Sequence, residues 1–384
     1  MKIPFLDLKS QILPNKEEYV EIIKKVIDDT AFSSGKYVDE FETNFANYLG
    51  VNYSVGVNSG TSALHLALLA LDIGIGDEVI LPSHTFIATA WAVSYVGATP
   101  IFVDIDETYY TIDYKKIEEK ITNKTKAIIA VHLYGQAADL NEISDICKKH
   151  NLFLIEDASQ AIGVEYKCNL GDGNENVKFK KVATIGDIGT FSFYPGKNLG
   201  AFGEGGAIVT NNESYYKRIK ALRNHSQTER YVHSEIGYNY RMDGIQGSIL
   251  SYKLNLIDNW NVKRNEISEK YNNKFKNLNN LVIPKINPNS THIFHLYELS
   301  INIPLKRESL IDYLNEKGIS TGLHYPIPIH LQEAYKSLSS IYQNDLEITN
   351  WAANSLISLP IYPELTDIQI EYIINCVLEW YNLQ

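Results

Sequence analysis

Between residues 53 and 225 the chain alternates short, continuously apolar runs with segments whose apolar residues recur at helical spacing. The runs are YSVGV (53–57), EVILP (78–82), TPIFVDI (99–105), KAIIAVHLY (126–134), LFLIEDAS (152–159) and GTFSF (189–193). Among the intervening segments are NSGTSALHLALLAL, FIATAWAVSYVG and one beginning near Asp139, a residue type suited to capping a helix. A strand that is apolar along its whole length is buried on both faces, which helices on each side of a largely parallel sheet provide. The alternation therefore predicts an α/β fold. Residues 166–185 break the pattern with glycine, asparagine and charge, and read as a plain connecting loop first, with a hairpin or surface insertion as the alternative. From about residue 250 an Asn- and Lys-rich helical stretch leads away. HLYELSINI and a helix over 307–318 then predict a small α+β second domain.

A length of 384 residues suits one large domain and one smaller one. The formal net charge of -11 argues against a nucleic-acid partner, which needs a basic face, but leaves room for a small phosphorylated ligand. Cys147, Cys168 and Cys376 are far apart and form no CxxC pair, so neither a metal site nor a disulfide framework is expected. The first residues hold no apolar stretch of signal-peptide length, and no run of about 18 apolar residues occurs. The expectation is a soluble cytoplasmic protein with no membrane partner.

Four local patterns carry chemistry. In GTFSFYPGKNLGAFGEGGAIVTNN, Ser192 ends a strand and Lys197 follows five residues later in a glycine-rich segment that lets backbone approach a bound group. Taken alone, Lys197 reads as a solvated loop lysine. In IEDASQA, Glu156 and Asp157 end an apolar strand, where open α/β sheets place their ligand crevice, although an aspartate there also serves as a cap. In NSGTSALHL three small residues open a helix whose free N–H groups suit a phosphate. In PSHTFIATA, Phe86 lies just past a strand end, either as core or stacked on a flat ring. Together these supply a phosphate turn, a carboxylate for a ring nitrogen, an aromatic cover and a lysine to form an imine, which is the protein complement of pyridoxal 5'-phosphate (PLP).

These motifs, in order, resemble the DegT/DnrJ/EryC1/StrS family of sugar aminotransferases. The resemblance runs through IPFLDLKSQ, SGKYVDEFE, NSGTSALHLAL, PSHTFIATA, VDID, LYGQAADL, EDASQA, FSFYPGKNLGAFGEGGAI, GYNYRMDGIQG and HYPIPIH, nearly the whole chain. It implies the fold of aspartate aminotransferase, a PLP-dependent transferase of fold type I. That fold has a mixed, mostly parallel seven-stranded sheet with helices on both faces, plus a smaller α+β C-terminal domain. The expected division is 1–250 (with an N-terminal arm over about 1–15) and 251–384, in a homodimer. Carried over residue by residue, Lys197 matches the lysine that holds PLP and Asp157 the partner of the pyridine nitrogen. Gln160 matches the group that hydrogen-bonds the ring hydroxyl, Phe86 the stacking aromatic, and Gly60, Thr61 and Ser192 the phosphate pocket. Asn239 matches an asparagine reaching the phosphate from the other subunit. Arg241 shares its motif, and His324, Tyr325 and His330 fall in the segment near the substrate.

The resemblance further implies transfer of an amino group from an amino acid, L-glutamate, to a keto-deoxysugar on a nucleoside diphosphate, with pyridoxamine 5'-phosphate between the half-reactions. A cyclitol aminotransferase and a sugar dehydratase are alternatives within the family. The dehydratases carry histidine at the lysine position, whereas this chain has Lys197. A PLP- or sugar-binding regulator is the non-enzymatic alternative. The insertion at 168–181 is longer than the family's turn there and either shapes the nucleotide end of the pocket or decorates the surface.

Overall fold

A computed structural model of the chain describes residues 1–169, 178–339, 342 and 345–384. Helices α1 (Leu8–Ile12), α2 (Lys16–Asp28) and α3 (Lys36–Leu49) precede β1 (Tyr53–Val57). Then come α4 (Gly60–Ala70), β2 (Glu78–Pro82), α5 (Ala88–Tyr95), β3 (Thr99–Val103), β4 (Thr125–Val131), α6 (Leu140–His150) and β5 (Phe153–Asp157). An antiparallel hairpin, β6 (Glu165–Cys168) with β7 (Lys178–Lys181), lies before β8 (Ile188–Ser192), β9 (Gly206–Thr210) and α7 (Glu213–Arg223). The central part of the insertion noted above, 170–177, lies outside the described residues.

Seven strands form one sheet in the order β1-β9-β8-β5-β4-β2-β3. β9 is antiparallel to both its neighbours and every other pair is parallel, so the sheet is mixed with six strands running one way. Side chains alternate between its faces. Ile128 and Ala130 of β4 join one core with Phe41 and Phe45 of α3 and Ile143 of α6. Ala127, Ile129 and Val131 of the same strand join a second core with Leu64 and Leu68 of α4 and Ala92 of α5. Burial on both faces explains why these strands read as continuous apolar runs. Each such large side chain contributes roughly 1.5–3 kcal/mol.

A short antiparallel hairpin, β10 (Gln227–Glu229) with β11 (Val232–His233), precedes α8 (Gly244–Leu254) and α9 (Ile257–Phe275). Next come β12 (Leu281–Val282), β13 (Tyr297–Ile301), α10 (Arg307–Glu316), α11 (Lys336–Ser339), α12 (Glu347–Ser355), β14 (Leu356–Leu359) and α13 (Asp367–Asn382). β12, β13 and β14 make an antiparallel sheet over a third core with α10 and α13. Residues 250 and 251 lie inside α8, so the expected division there cuts a helix. α9 spans the two parts: its Ile257 and Trp260 pack in the first core, and its Ile267, Tyr271 and Phe275 pack in the third.

Asp139 does precede α6, but its side chain does not cap it. It accepts instead from Asn287 Nδ2 at 2.7 Å, a tertiary partner outcompeting the local one. No helix among the described residues is long and apolar enough to cross a membrane.

Candidate active site

Because β1, β2, β5 and β8 run in one direction, their carboxyl ends and the segments that follow open onto one cavity of about 710 Å³. This is the edge where open α/β sheets take ligands. Gly60 and Thr61 after β1, Phe86 after β2, Asp157 at the end of β5, Gln160 beyond it, Ser192 at the end of β8 and Lys197 beyond it all line this cavity. His324 and Tyr325 line it from the C-terminal part.

Strand parity decides which carboxylate of the Glu156–Asp157 pair faces the cavity. Asp157 is buried beside it and accepts from Thr89 Oγ1 at 3.2 Å and from its neighbour Ser159 N at 3.1 Å. Glu156 points to the other face, where it accepts from the N–H groups of Ala183 (2.7 Å), Ile185 (2.8 Å) and Gly186 (2.6 Å) and pairs with His132 Nε2 at 2.9 Å. Burial pushes the Glu156 carboxyl up, but His132 and these N–H donors outweigh it and hold the group below its ordinary value. Glu156 thus ties down the turn that leads into β8. Glu156→Ala would strand three backbone donors and the His132 ring and should cost about 3 kcal/mol, read as a lower urea midpoint. A loss under about 1 kcal/mol would contradict this.

Lys197 is half-buried, and its side chain lines the cavity. Among the described residues its Nζ has no hydrogen-bond partner. Burial lowers the ammonium to about 8, with the Asp157 charge pulling in the opposite direction. A neutral amine is therefore far more available than on a surface lysine. The segment carrying it is fixed at several points. Lys197 N donates to Tyr194 O at 2.8 Å, Ala201 N to Phe193 O at 2.8 Å and Phe202 N to Gln246 Oε1 at 2.8 Å. The buried Lys253 Nζ donates to Gly200 O at 2.7 Å, and Asn198 Nδ2 to Asn261 Oδ1 at 3.0 Å.

At the start of α4, Ser59 caps the helix by accepting from Ser62 N at 3.0 Å. The N–H groups of Gly60 and Thr61 have no acceptor among the described residues, so they remain available to an anion at the helix's positive end. The cradle is tight: a Cβ on Gly60 would sit 2.7 Å from Ser192 Cβ, and one on Gly206 would sit 2.4 Å from Ser59 O. Gln160 accepts from Tyr134 N at 2.7 Å and donates to Tyr325 Oη at 3.1 Å, which leaves its second amide hydrogen free. Phe86 is half exposed, 5.8 Å from Tyr325 between ring centroids, and presents a flat apolar wall.

Three expected site residues lie elsewhere. His330 is buried with Nδ1 2.8 Å from Ser83 Oγ, pins the 328–331 turn onto the end of β2 and does not line this cavity. Asn239 is exposed and outside its own chain's cavity, and Arg241 donates to Asn224 Oδ1 at 2.8 Å on the same face. The cavity also takes in groups that the sequence reading missed: Thr89, Glu204, His295, Arg264 and the N-terminal Phe5 and Leu6. Thr89 was within reach, three residues after Phe86 on the same helical entry. Nothing local marks Phe5 or Arg264, which arrive through tertiary packing.

The family model of the DegT/DnrJ/EryC1/StrS aminotransferases matches residues 14–378. The chain belongs to that family. Among curated relatives of this aminotransferase, a dTDP-3-amino-3,6-dideoxy-alpha-D-galactopyranose transaminase of Aneurinibacillus thermoaerophilus is 41% identical, covering 98% of each chain. A protein named pleiotropic regulatory protein, of Geobacillus stearothermophilus, is 39% identical over 100% of this chain and 99% of its own. Among solved structures, S. venezuelae DesV in complex with a ketimine intermediate superposes with a TM-score of 0.93 at 37% identity, covering 99% of this chain and 98% of that one. The cofactor of this aminotransferase is PLP. The cavity fits it: unengaged N–H groups at a helix start suit its phosphate, a buried carboxylate its ring nitrogen, and a desolvated, unpartnered amine its aldehyde.

Proposed function

We propose that the protein moves an amino group from L-glutamate to the keto carbon of a deoxysugar carried on a nucleoside diphosphate. The observation that carries this reading is the unpartnered, desolvated amine of Lys197 in one cavity with the Asp157 carboxylate. When bound, PLP supplies an electron sink that eases proton removal from the carbon bearing the nitrogen. Gly60, Thr61 and Ser192 would hold its phosphate and Phe86 would cover its ring. Gln160 would donate its free amide hydrogen to the ring hydroxyl. Asp157, kept in place by Thr89 and Ser159, would hold a proton on the ring nitrogen. Lys197 Nζ, neutral in a good fraction of molecules near pH 8, would take and return the proton at the substrate carbon. A cavity of about 710 Å³ has room for a sugar beside the cofactor.

The test is an absorption spectrum of the PLP-loaded protein before and after L-glutamate. Conversion to the pyridoxamine form, with 2-oxoglutarate released, is expected, followed by reversal with a nucleotide-linked keto sugar. A loaded protein whose spectrum ignores glutamate and every other amino acid would sink the transaminase reading and favour a regulator or a non-transaminating enzyme.

The exposure of Asn239 outside its own cavity supports a homodimer whose sites are shared, with Asn239 completing the phosphate pocket of the partner subunit. Asn239→Ala and Lys197→Ala chains should each be nearly inactive. After subunit exchange, each mixed dimer holds one intact site, so about a quarter of wild-type activity should return. No recovery in a mixture shown to contain mixed dimers would place Asn239 outside any site.

A further inference from the structure

On the face of β13 opposite the third core lies a carboxyl group that the reaction above does not use. Glu298 on β13 is fully buried, and one of its oxygens, Oε2, has no partner among the described residues. The other accepts from the Ser358 hydroxyl on β14, directly across the strand pair. Ser358 Oγ lies 2.7 Å from His324 Nδ1. His324 lines the cavity, its ring stacked at 5.6 Å on Phe5, and its Nε2 has no hydrogen-bond partner among the described residues. A continuous chain of hydrogen bonds thus runs from a carboxyl in a dry core to a ring nitrogen on the cavity side.

A hydroxyl has one proton to donate, so the two ends of this chain cannot be set independently. An ionised Glu298 only accepts. Ser358 must then donate to it and can only accept from His324, which carries its hydrogen on Nδ1 and turns a bare Nε2 to the cavity. A protonated Glu298 donates to Ser358, Ser358 donates to Nδ1, and the hydrogen of His324 sits on Nε2. The two states differ by one proton. It enters at Nε2 from the cavity, the Nδ1 proton passes to Ser358, and the Ser358 proton passes to Glu298.

We propose that Glu298, acting through Ser358, sets which tautomer of His324 faces the cavity and so whether the ring donates or accepts a hydrogen bond there. Glu298 is a positioning residue in this scheme. Burial, partly offset by Ser358, raises its carboxyl to about 8, so the exchange falls in an accessible pH range. Burial and then the Lys197 charge lower His324 to about 4, so the ring is neutral and its tautomer is what matters. The other groups facing this region are the buried Tyr110, Tyr134 and Tyr325 hydroxyls, all raised and therefore neutral, His84 beyond Tyr134, lowered by burial to about 4, and His295, which burial lowers well below its ordinary value. None of these changes charge between neutrality and pH 9; the Lys197 ammonium, at about 8, does, and a transition driven by it would survive in Ser358→Ala.

What the tautomer does for a sugar substrate rests on the function proposed above, but the tautomer itself can be read without cofactor or substrate. In protein carrying 15N-labelled histidine, two-bond 1H–15N spectra are recorded from about pH 6 to about pH 10, with His324 assigned by its absence in His324→Asn. The wild type should pass from the Nε2–H to the Nδ1–H form with a midpoint near 8. Glu298→Gln and Ser358→Ala should each hold one tautomer throughout. If Glu298→Gln fails to fold, Ser358→Ala carries the test, since it keeps the carboxyl and removes only the link. A wild-type ring that never changes tautomer, or a transition that survives in Ser358→Ala, overturns the proposal. Either result is independent of whether glutamate converts the loaded protein.

Discussion

Lys197→Ala should lose turnover by at least about 10⁴-fold, the upper range for a positioned proton-transfer group, while the protein stays folded. The structure separates these two outcomes. Lys197 Nζ makes no hydrogen bond or ion pair among the described residues, so its removal breaks no stabilising contact. It also relieves the desolvation that holds the amine at about 8. The melting temperature should therefore hold or rise slightly. The 195–206 segment should keep its shape, because Gly200 and Asn198 are anchored by Lys253 and Asn261 rather than by Lys197. Kinetics and a thermal melt on the same preparation check both parts. Activity within tenfold of wild type would remove Lys197 from the chemistry.

Asp157→Asn should lower kcat by about 10³-fold, roughly 4 kcal/mol of stabilisation from a desolvated charge. The substitution is nearly isosteric. Its carbonyl oxygen can still accept from Ser159 N, and the Thr89 hydroxyl, already 3.3 Å from Thr85 Oγ1, can turn to accept from the new amide. What disappears is the negative charge. That charge also acts on Lys197, where it opposes the effect of burial. Without it the ammonium is less favoured, so the lysine should fall further below about 8. Labelling of cofactor-free protein with an amine-reactive reagent, followed at Lys197 by mass spectrometry across pH, should show its midpoint moving to lower pH. An unchanged midpoint would mean that the two groups do not sense each other, and near-normal kcat would separate Asp157 from the reaction.

Much of this site is legible in the sequence because it sits at the ends of buried strands. A polar residue that closes a continuous apolar run marks the carboxyl end of a strand, as Asp157 and Ser192 do, and Gly60 opens the helix that follows β1. The same logic stops where tertiary neighbours decide. His324 and His330 stand six residues apart in one motif, yet one lines the cavity and the other is spent on Ser83. Asp139 is at the right place for a cap but is drawn off by Asn287. The run GAIVT, which forms β9, is hidden by the glycines before it and is not among the six runs read as strands. Its reversed direction depends on the short 193–205 connection folding straight back along β8, which no periodicity reports. Glu298 lies inside an apolar strand, where charge reads as a break in the pattern. Only the juxtaposition with Ser358 and His324 gives it a role.

α9 places its first turns in one core and its last turns in another. Between them, the buried Arg264 donates through Nη1 to Phe294 O at 3.0 Å, His295 O at 3.2 Å and Ile361 O at 2.9 Å, just behind the cavity wall. A helix shared in this way acts as a common beam. Melting either core withdraws support from the other, so heat or denaturant should take the chain apart in one transition. A ligand gripped between the Lys197 side and the His324 side would then stabilise both cores together, and tight binding would register as a shift of the whole melt.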